Sequence, residues 1–272
     1  MNLLKQERNF FMRSENLIVG SYNLRTPGGN DPFPNDWESR MPRIRADIAR
    51  MGYHIFGAQE SIDFYNGHIC SGNTFAAFGR GRCENADGES CNVYYDQERL
   101  ELLEYETFWL SATPEKHSLV PGAIYPRICT AGIFRDKVTE KRFIFANTHL
   151  EHRVKELQKL QLEYLFARLR TYEKLPLILT GDFNAYPGSP AVRYAMEQLR
   201  DAGELSETPV LHTGATYHGF VSDVSLRTQS ERIDYILVSA GISVRRFEVV
   251  DNFIAPDTAS SDHFPLVAEV AF

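Results

Sequence analysis

The run Leu177-Ile-Leu-Thr-Gly-Asp-Phe-Asn184 constrains this chain more than any other stretch. Three apolar residues lead through Thr180 and Gly181 to Asp182 and Asn184, which bracket Phe183. An apolar run punctuated by Gly is the pattern of a strand buried on both faces where it leaves a sheet. Side chains alternate along a strand, so Asp182 and Asn184 face one way and Phe183 faces back into the core. A carboxylate placed there can orient or help deprotonate a water, and an amide can donate to a phosphoryl oxygen. Asp and Asn also favour turns for purely structural reasons. The functional reading gains weight because other apolar runs in this chain end in polar groups too.

Leu17 to Asn23 reads as a short buried strand ending in Asn23, and His54 to Glu60 as a second ending in a carboxylate. If the two are neighbours, an amide oxygen and a carboxylate meet at one sheet edge. That hard, all-oxygen setting suits Mg²⁺ or Mn²⁺ rather than zinc. Glu60 could equally cap the helix that follows. Arg127–Phe134 and Arg142–His149 read as a hairpin that delivers Asn147 and His149 to one face. On the residues alone, His149 is as readily structural as catalytic. Arg232–Ser239 is a buried strand with Asp234 near its start. A charge in an apolar strand is costly unless paired, so Asp234 needs a partner, most simply a His. Asp262 and His263 immediately precede a final alternating strand.

The helices are legible from spacing. Ile44, Ile48 and Met51 fall on one face of a helix from Trp37 to Met51, which Gly52 ends. Arg40, Arg43, Arg45 and Arg50 read as its solvated side, and Pro42 is tolerable only in the first turn. Glu151 to Tyr172 reads as the longest helix, and Ser189 to Gly203 as another, opened by Ser189-Pro190. Strand, helix and strand between 142 and 184 make a βαβ-like unit, which predicts an α/β fold with a mixed sheet.

With 43% hydrophobic and 12% aromatic residues, 272 residues can bury a large core, which excludes disorder. We expect a flexible tail over 1–14 and a single domain over 15–272. A net charge of −7 does not attract a long polyanion, so an acidic site acting on phosphate needs a cation. Cys70, Cys83, Cys91 and Cys129 lack CxxC spacing and read as reduced thiols of a cytoplasmic protein. A Cys83–Cys91 bridge is the extracellular alternative. No run reaches transmembrane length and the first residues lack a signal-peptide core, so no membrane association is expected. A monomer is favoured.

Asn23 in SYN, Glu60 in AQE, His149 in NTHL, Asp182 and Asn184 in GDFN, Asp234 in RIDYILV and Asp262-His263 in SDHFPL together resemble the endonuclease/exonuclease/phosphatase superfamily, the fold of pancreatic deoxyribonuclease. The matches run in the family's order from 17 to 270. FWLSATPE and TYHGF further resemble a bacterial branch related to the deadenylase and nocturnin group. One departure is that Thr130 is followed by Ala131, where that branch has an aromatic. The substitution is expected to alter a pocket wall.

The resemblance implies a four-layered α/β/β/α sandwich of two mixed sheets flanked by helices. It also implies hydrolysis of a phosphate ester with Mg²⁺, for which Mn²⁺ substitutes. Glu60 would hold the metal, with Asn23 and Asp262 near it. His263 would activate the attacking water, with Asp234 fixing its tautomer and Asp182 orienting that water. Asn184 and His149 would bind the phosphoryl group. The deoxyribonuclease branch pairs its corresponding histidine with a glutamate at a strand start, which implies a Glu89–His149 pair here. A phosphodiesterase acting on a nucleotide or short single-stranded nucleic acid is the first expectation. A phosphomonoesterase acting on an inositol phosphate or nucleotide is the second, and a sphingomyelinase-like phospholipase the third. A non-catalytic nucleic-acid-binding or scaffold protein on the same fold is the competing class.

Overall fold

A computed structural model describes residues 14–208, 214–223 and 232–272. The expected tail lies outside the described residues, except for Ser14. The apolar runs form strands. In chain order these are β1 (Leu17–Asn23), β2 (Ile55–Gln59), β3 (Phe75–Phe78), β4 (Val93–Asp96), β5 (Leu100–Trp109), β6 (Ile128–Asp136) and β7 (Arg142–His149). Then come β8 (Leu177–Asp182), β9 (Arg200–Asp201), β10 (Asp234–Val238), β11 (Ser243–Val249), β12 (Phe253–Ala255), β13 (Thr258–Ala259) and β14 (Leu266–Ala271). The strands at the sheet centres, β1, β2, β7, β8 and β10, are buried along nearly their whole length. The helices are α1 (Trp37–Met51), α2 (Asp63–Cys70), α3 (Glu156–Leu169), α4 (Pro190–Gln198) and α5 (Ala202–Leu205).

Among the described residues the strands make two six-stranded sheets, ordered β11-β14-β1-β2-β4-β3 and β5-β6-β7-β8-β10-β9, while β12 and β13 pair with each other. Both are mixed: β1 runs parallel to β2 and antiparallel to β14, and β7 runs parallel to β8, which is antiparallel to β10. The sheets pack face to face through Val19, Ile55 and Val93 of one and Phe143, Phe145, Ile178 and Ile236 of the other. Each fully buried large side chain of this kind stabilises the fold by about 1.5–3 kcal/mol. On the outer faces, Ile44, Ile48 and Met51 of α1 cover β1 and β2, while Leu162, Leu165 and Phe166 of α3 cover β7 and β8. The result is the four-layered α/β/β/α sandwich.

Close approach of the sheets beneath the strand ends depends on Gly57. A Cβ there would lie 2.3 Å from Thr180 Oγ1 and 2.4 Å from Asn147 Cγ. Asn147 uses the space to bridge the sheets, donating to the carbonyls of Ala58 and Asn92 at 2.9 and 3.0 Å. It is therefore a structural strut, set two residues behind His149.

The helix boundaries depart from expectation in three places. Pro42 is the sixth residue of α1, beyond the first turn. An interior proline costs about 3 kcal/mol, which here is offset by the buried stripe of the helix. That stripe includes Arg40, which is fully buried rather than solvated. The helix after β7 starts at Glu156 and has 14 residues, one fewer than the 15 of α1. Residues 151–155 are instead a turn, because the Glu151 carboxylate accepts from the N–H groups of His152 and Arg153 at 3.0 and 2.9 Å. Ser189 does cap α4, accepting from Val192 N at 3.3 Å, but the helix stops at Gln198 and the chain adds the edge strand β9 to β10.

Candidate active site

Eight of the polar groups singled out in the sequence converge at one end of the sandwich. The register aligns His149 with Asp182 and Asp182 with Asp234, so three strand ends set their side chains in one row. Asp234 is 2% exposed, and His263 Nδ1 lies 2.9 Å from its Oδ2. His263 Nε2 lies 3.8 Å from Asp182 Oδ2. The row thus reads Asp234, His263, Asp182. Thr216 fixes the start of β10 through its Oγ1, which accepts from the N–H groups of Ile233 and Asp234 at 3.0 Å each. Tyr217 closes over the row, its ring 5.0 Å from that of His263 at 66°.

On the other side of Asp182, His149 Nε2 is 3.6 Å from the carboxylate and 2.9 Å from the Asn184 amide nitrogen. With that amide donating, His149 carries its proton on Nδ1. Asn184 leaves the strand at φ +49°, a left-handed conformation in which its N–H reaches back to Asp182 Oδ1 at 2.8 Å. Phe183 faces inward into the helix-covered core, as the alternation requires.

Glu60, Asn23 and Asp262 sit where the β1 and β2 ends meet this row. Asn23 Nδ2 donates to Glu60 Oε1 at 3.2 Å and to Asp182 Oδ2 at 3.0 Å, which brings two carboxylates together around one amide. Glu60 caps no helix: it sits at φ +53°, and its Oε2 accepts from Thr26 N. Asp262 lies 3.5 Å from Arg25. One ligand atom each from Asp182, Asp234 and His263 also lie within 4.8 Å of one another, close enough to share a metal ion.

Burial shapes the protonation of the row. Desolvation, with Asp234 alongside, pushes the Asp182 carboxyl well above the usual carboxylate range. Desolvation works against a charged His263, but Asp234 outweighs it and raises the ring to about 10. Desolvation, reinforced by the charge of Arg127, keeps His149 neutral far below its ordinary 6.5. Asp182 and His263 therefore face each other at 3.8 Å with both groups pushed upward, and His149 is held in its neutral form.

Glu89 does not pair with His149. Its carboxylate is bound to Arg82 at 2.8 Å on the far wall of the basin, while the His149 ring is engaged by Asn184 and Asp182. The basin has a volume of about 510 Å³. Its cationic and aromatic lining, with Arg25, Arg82, Arg127, Lys155, Tyr125 and Tyr186, escaped the reading of strand ends because these residues come from turns. The one signal available was Arg127, which opens the strand carrying the RICT run. Ala131, in contrast, packs in the core between sheet and helices and does not face the basin, so the departure there leaves the pocket wall untouched.

Residues 20–263 match the model of the Endonuclease/Exonuclease/phosphatase family. The chain belongs to this family. Among solved structures it is similar to a mannosyl-6-phosphatase of Bacteroides thetaiotaomicron VPI-5482, at 30% identity and a TM-score of 0.86, covering 94% of this chain and 100% of that one. The human nocturnin catalytic domain shares the fold, at 19% identity and a TM-score of 0.72, over 94% of this chain and 93% of that one. Protein angel of Drosophila melanogaster is 24% identical over 156 residues, which span 56% of this chain and 44% of that protein's length. The protein is a phosphoric ester hydrolase of the family, with bacterial structural relatives and a distant likeness to the nocturnin and angel group. No helix among the described residues is long and apolar enough to cross a membrane.

Proposed function

We propose that the protein hydrolyses small phosphate esters, monoesters in preference to diesters, with the help of Mg²⁺ or Mn²⁺. The observation that carries this reading is the basin: about 510 Å³, with the Asp234–His263–Asp182 row on one side and Arg25, Arg82, Arg127 and Lys155 around the rest. A monoester brings two negative charges where a diester brings one, so Arg127 and Lys155, which make no ion pair among the described residues, favour it. The volume suits a small ligand rather than a duplex. The 30% identity to a mannosyl-6-phosphatase over that protein's full length supports the same order.

Glu60, Asn23 and Asp262 are the groups we assign to the cation, because Glu60 and Asp262 offer carboxylate oxygens and the Asn23 amide draws Glu60 toward Asp182. A cation held there would supply charge neutralisation on the phosphoryl and leaving oxygens. Asp182 orients the attacking water and takes its proton, while Asp234 fixes the facing His263 ring through Nδ1. Neutral His149, whose ring the Asn184 amide holds through Nε2, is the group we assign to a phosphoryl oxygen, by a hydrogen bond from Nδ1 that strengthens as charge develops. The free thiols of Cys70, Cys83, Cys91 and Cys129 support a reducing, cytoplasmic setting.

A second reading, a phosphodiesterase acting on a nucleotide or short single strand, has one observation in its favour. Tyr186 and Tyr217 are 42% and 40% exposed at the rim, where bases can stack. The test is a comparison of kcat/KM with Mg²⁺ or Mn²⁺ for glucose 6-phosphate, p-nitrophenyl phosphate, bis(p-nitrophenyl) phosphate and a short single-stranded oligonucleotide. The monoesters should lead by roughly tenfold or more, a difference of about 1.4 kcal/mol in transition-state binding. Chelator should abolish turnover and added metal restore it. Faster cleavage of the diester or oligonucleotide would transfer the assignment to the second reading.

A further inference from the structure

The far wall of the basin has a charge that the hydrolytic row does not use. β6, β7, β8 and β10 lie side by side, and the positions at their ends carry Arg127, His149, Asp182 and Asp234. Neighbouring strands are about 4.8 Å apart, so at the backbone Arg127 sits roughly 10 Å from Asp182, across β7. Its guanidinium turns toward the 151–155 turn, with Nη2 at 2.8 Å from His152 Nδ1. Arg127 is 4% exposed, yet its Nε has no partner among the described residues.

Glu151 and Glu89 compensate Arg127 only in part, because burial and the neighbouring Arg82 weigh more. Arg82, whose guanidinium lies 4.8 Å over the Tyr125 ring, takes the Glu89 carboxylate. Glu151 directs one oxygen, Oε1, onto the N–H groups of its own turn, and its Oε2 has no hydrogen-bond partner among the described residues. His152 stacks parallel to Tyr125 at 6.1 Å, and Lys155 rests on Tyr186 at 4.1 Å from the ring centre. A buried cation with an idle donor beside a second cation is expensive, because burial removes its hydration and the nearby carboxylates make up only part of the loss. Arg40, by contrast, has its donors filled by four carbonyl contacts.

We infer that Arg127, His152 and Lys155, with Arg82 behind them, form a second anion subsite that holds a negatively charged group on the organic part of the substrate. This rests on the hydrolase reading above and narrows it: the preferred substrates are phosphate esters that carry a second acidic group on the same small molecule. One end of such a molecule lies at Asp182 and the other at Arg127. A substrate with hydroxyls only leaves Arg127 uncompensated and binds more weakly.

The experiment measures two inhibition constants, for glucose 6-phosphate and glucose 1,6-bisphosphate, at 0.15 M salt. The reporter is whichever of p-nitrophenyl phosphate and bis(p-nitrophenyl) phosphate the protein turns over. Reporter identity tests the monoester reading, and the ratio of the two constants tests the subsite, so the two can fail separately. Charge-assisted hydrogen bonds predict a bisphosphate preference of roughly 10–100-fold in the wild type. Arg127→Met should reduce the ratio to about two, the statistical value for a ligand with two equivalent ends, and Arg127→Lys should keep part of it. His152→Ala provides a second variant, because that side chain is 41% exposed and its removal spares the core. It should lower the ratio by at least about threefold, since it unseats the guanidinium from its one side-chain partner. A wild-type ratio near two, or a ratio that neither Arg127→Met nor His152→Ala changes, overturns the subsite.

Discussion

Asp234 shows how far a single residue can be read. A carboxylate inside an apolar strand demands a partner, and the sequence offers His263 in a run with its own polar neighbour; the structure joins them at 2.9 Å. Because Asp234 acts through the ring, the two should behave as a unit. His263→Ala, Asp234→Ala and the double variant are expected to lose similar activity, about 10²–10⁴-fold in kcat. Multiplicative losses in a double-mutant cycle would separate the two residues. Glu89 shows the limit. Its place before a strand suggested His149, but the choice between His149 and Arg82 is made by how the 80–90 turns fold back on themselves. Arg82 N donates to Glu89 O at 3.0 Å, and their side chains follow into an ion pair. No local pattern encodes that return.

At the scale of elements, the strands of the site were legible because each is an apolar run with one polar ending, and burial enforces both features. Helix α1 was legible at its end, through Gly52 at φ +63° as stop, but its inward face was misread. Arg40 lies four residues before Ile44, on the same stripe as Ile48 and Met51, so its spacing marked it as buried while its charge suggested solvent. The structure follows the spacing. Arg40 donates to the carbonyls of Leu24, Arg25, Asn35 and Ser260 at 2.7–3.2 Å, tying the loop after β1 to the segment that carries Asp262 and His263. Arg40→Met keeps the packing stem and strips the donors from four carbonyls. Unsatisfied buried acceptors and lost charge-assisted bonds predict a loss of about 3–5 kcal/mol. At 2–4 °C per kcal/mol, the melting temperature should fall by about 10 °C. Turnover should fall as well, because the loops are no longer held in register. A melting temperature within about 2 °C of wild type would show that water or neighbouring groups replace the guanidinium.

The whole molecule has an acid weakness that lies far from the site, at the opposite end of the β1–β2 pair. His54 is 4% exposed, and its Nδ1 accepts from Ile18 N at 2.9 Å, which requires the neutral ring. Burial, with the charge of Arg99 added, lowers its pKa from 6.5 to about 4. The sign follows from proton counting. Between those two values the unfolded chain binds a proton that the folded chain refuses, so stability is fully present above about 6.5 and is lost as the pH falls toward about 4. Each pKa unit is worth about 1.4 kcal/mol, which makes the loss roughly 2–3 kcal/mol by pH ~4.5. Other buried groups titrate in the same window, and the raised carboxyl of Asp182 acts in the opposite direction. The comparison that isolates His54 is therefore a difference. His54→Asn places an amide oxygen where Nδ1 accepts and removes the titration. Urea unfolding of both proteins at pH ~7 and pH ~4.5 should show the wild type losing roughly 2–3 kcal/mol more than the variant, because distant groups cancel. Equal losses would mean that His54 takes up its proton within the folded sheet, and that the bond to Ile18 N does not hold the ring neutral.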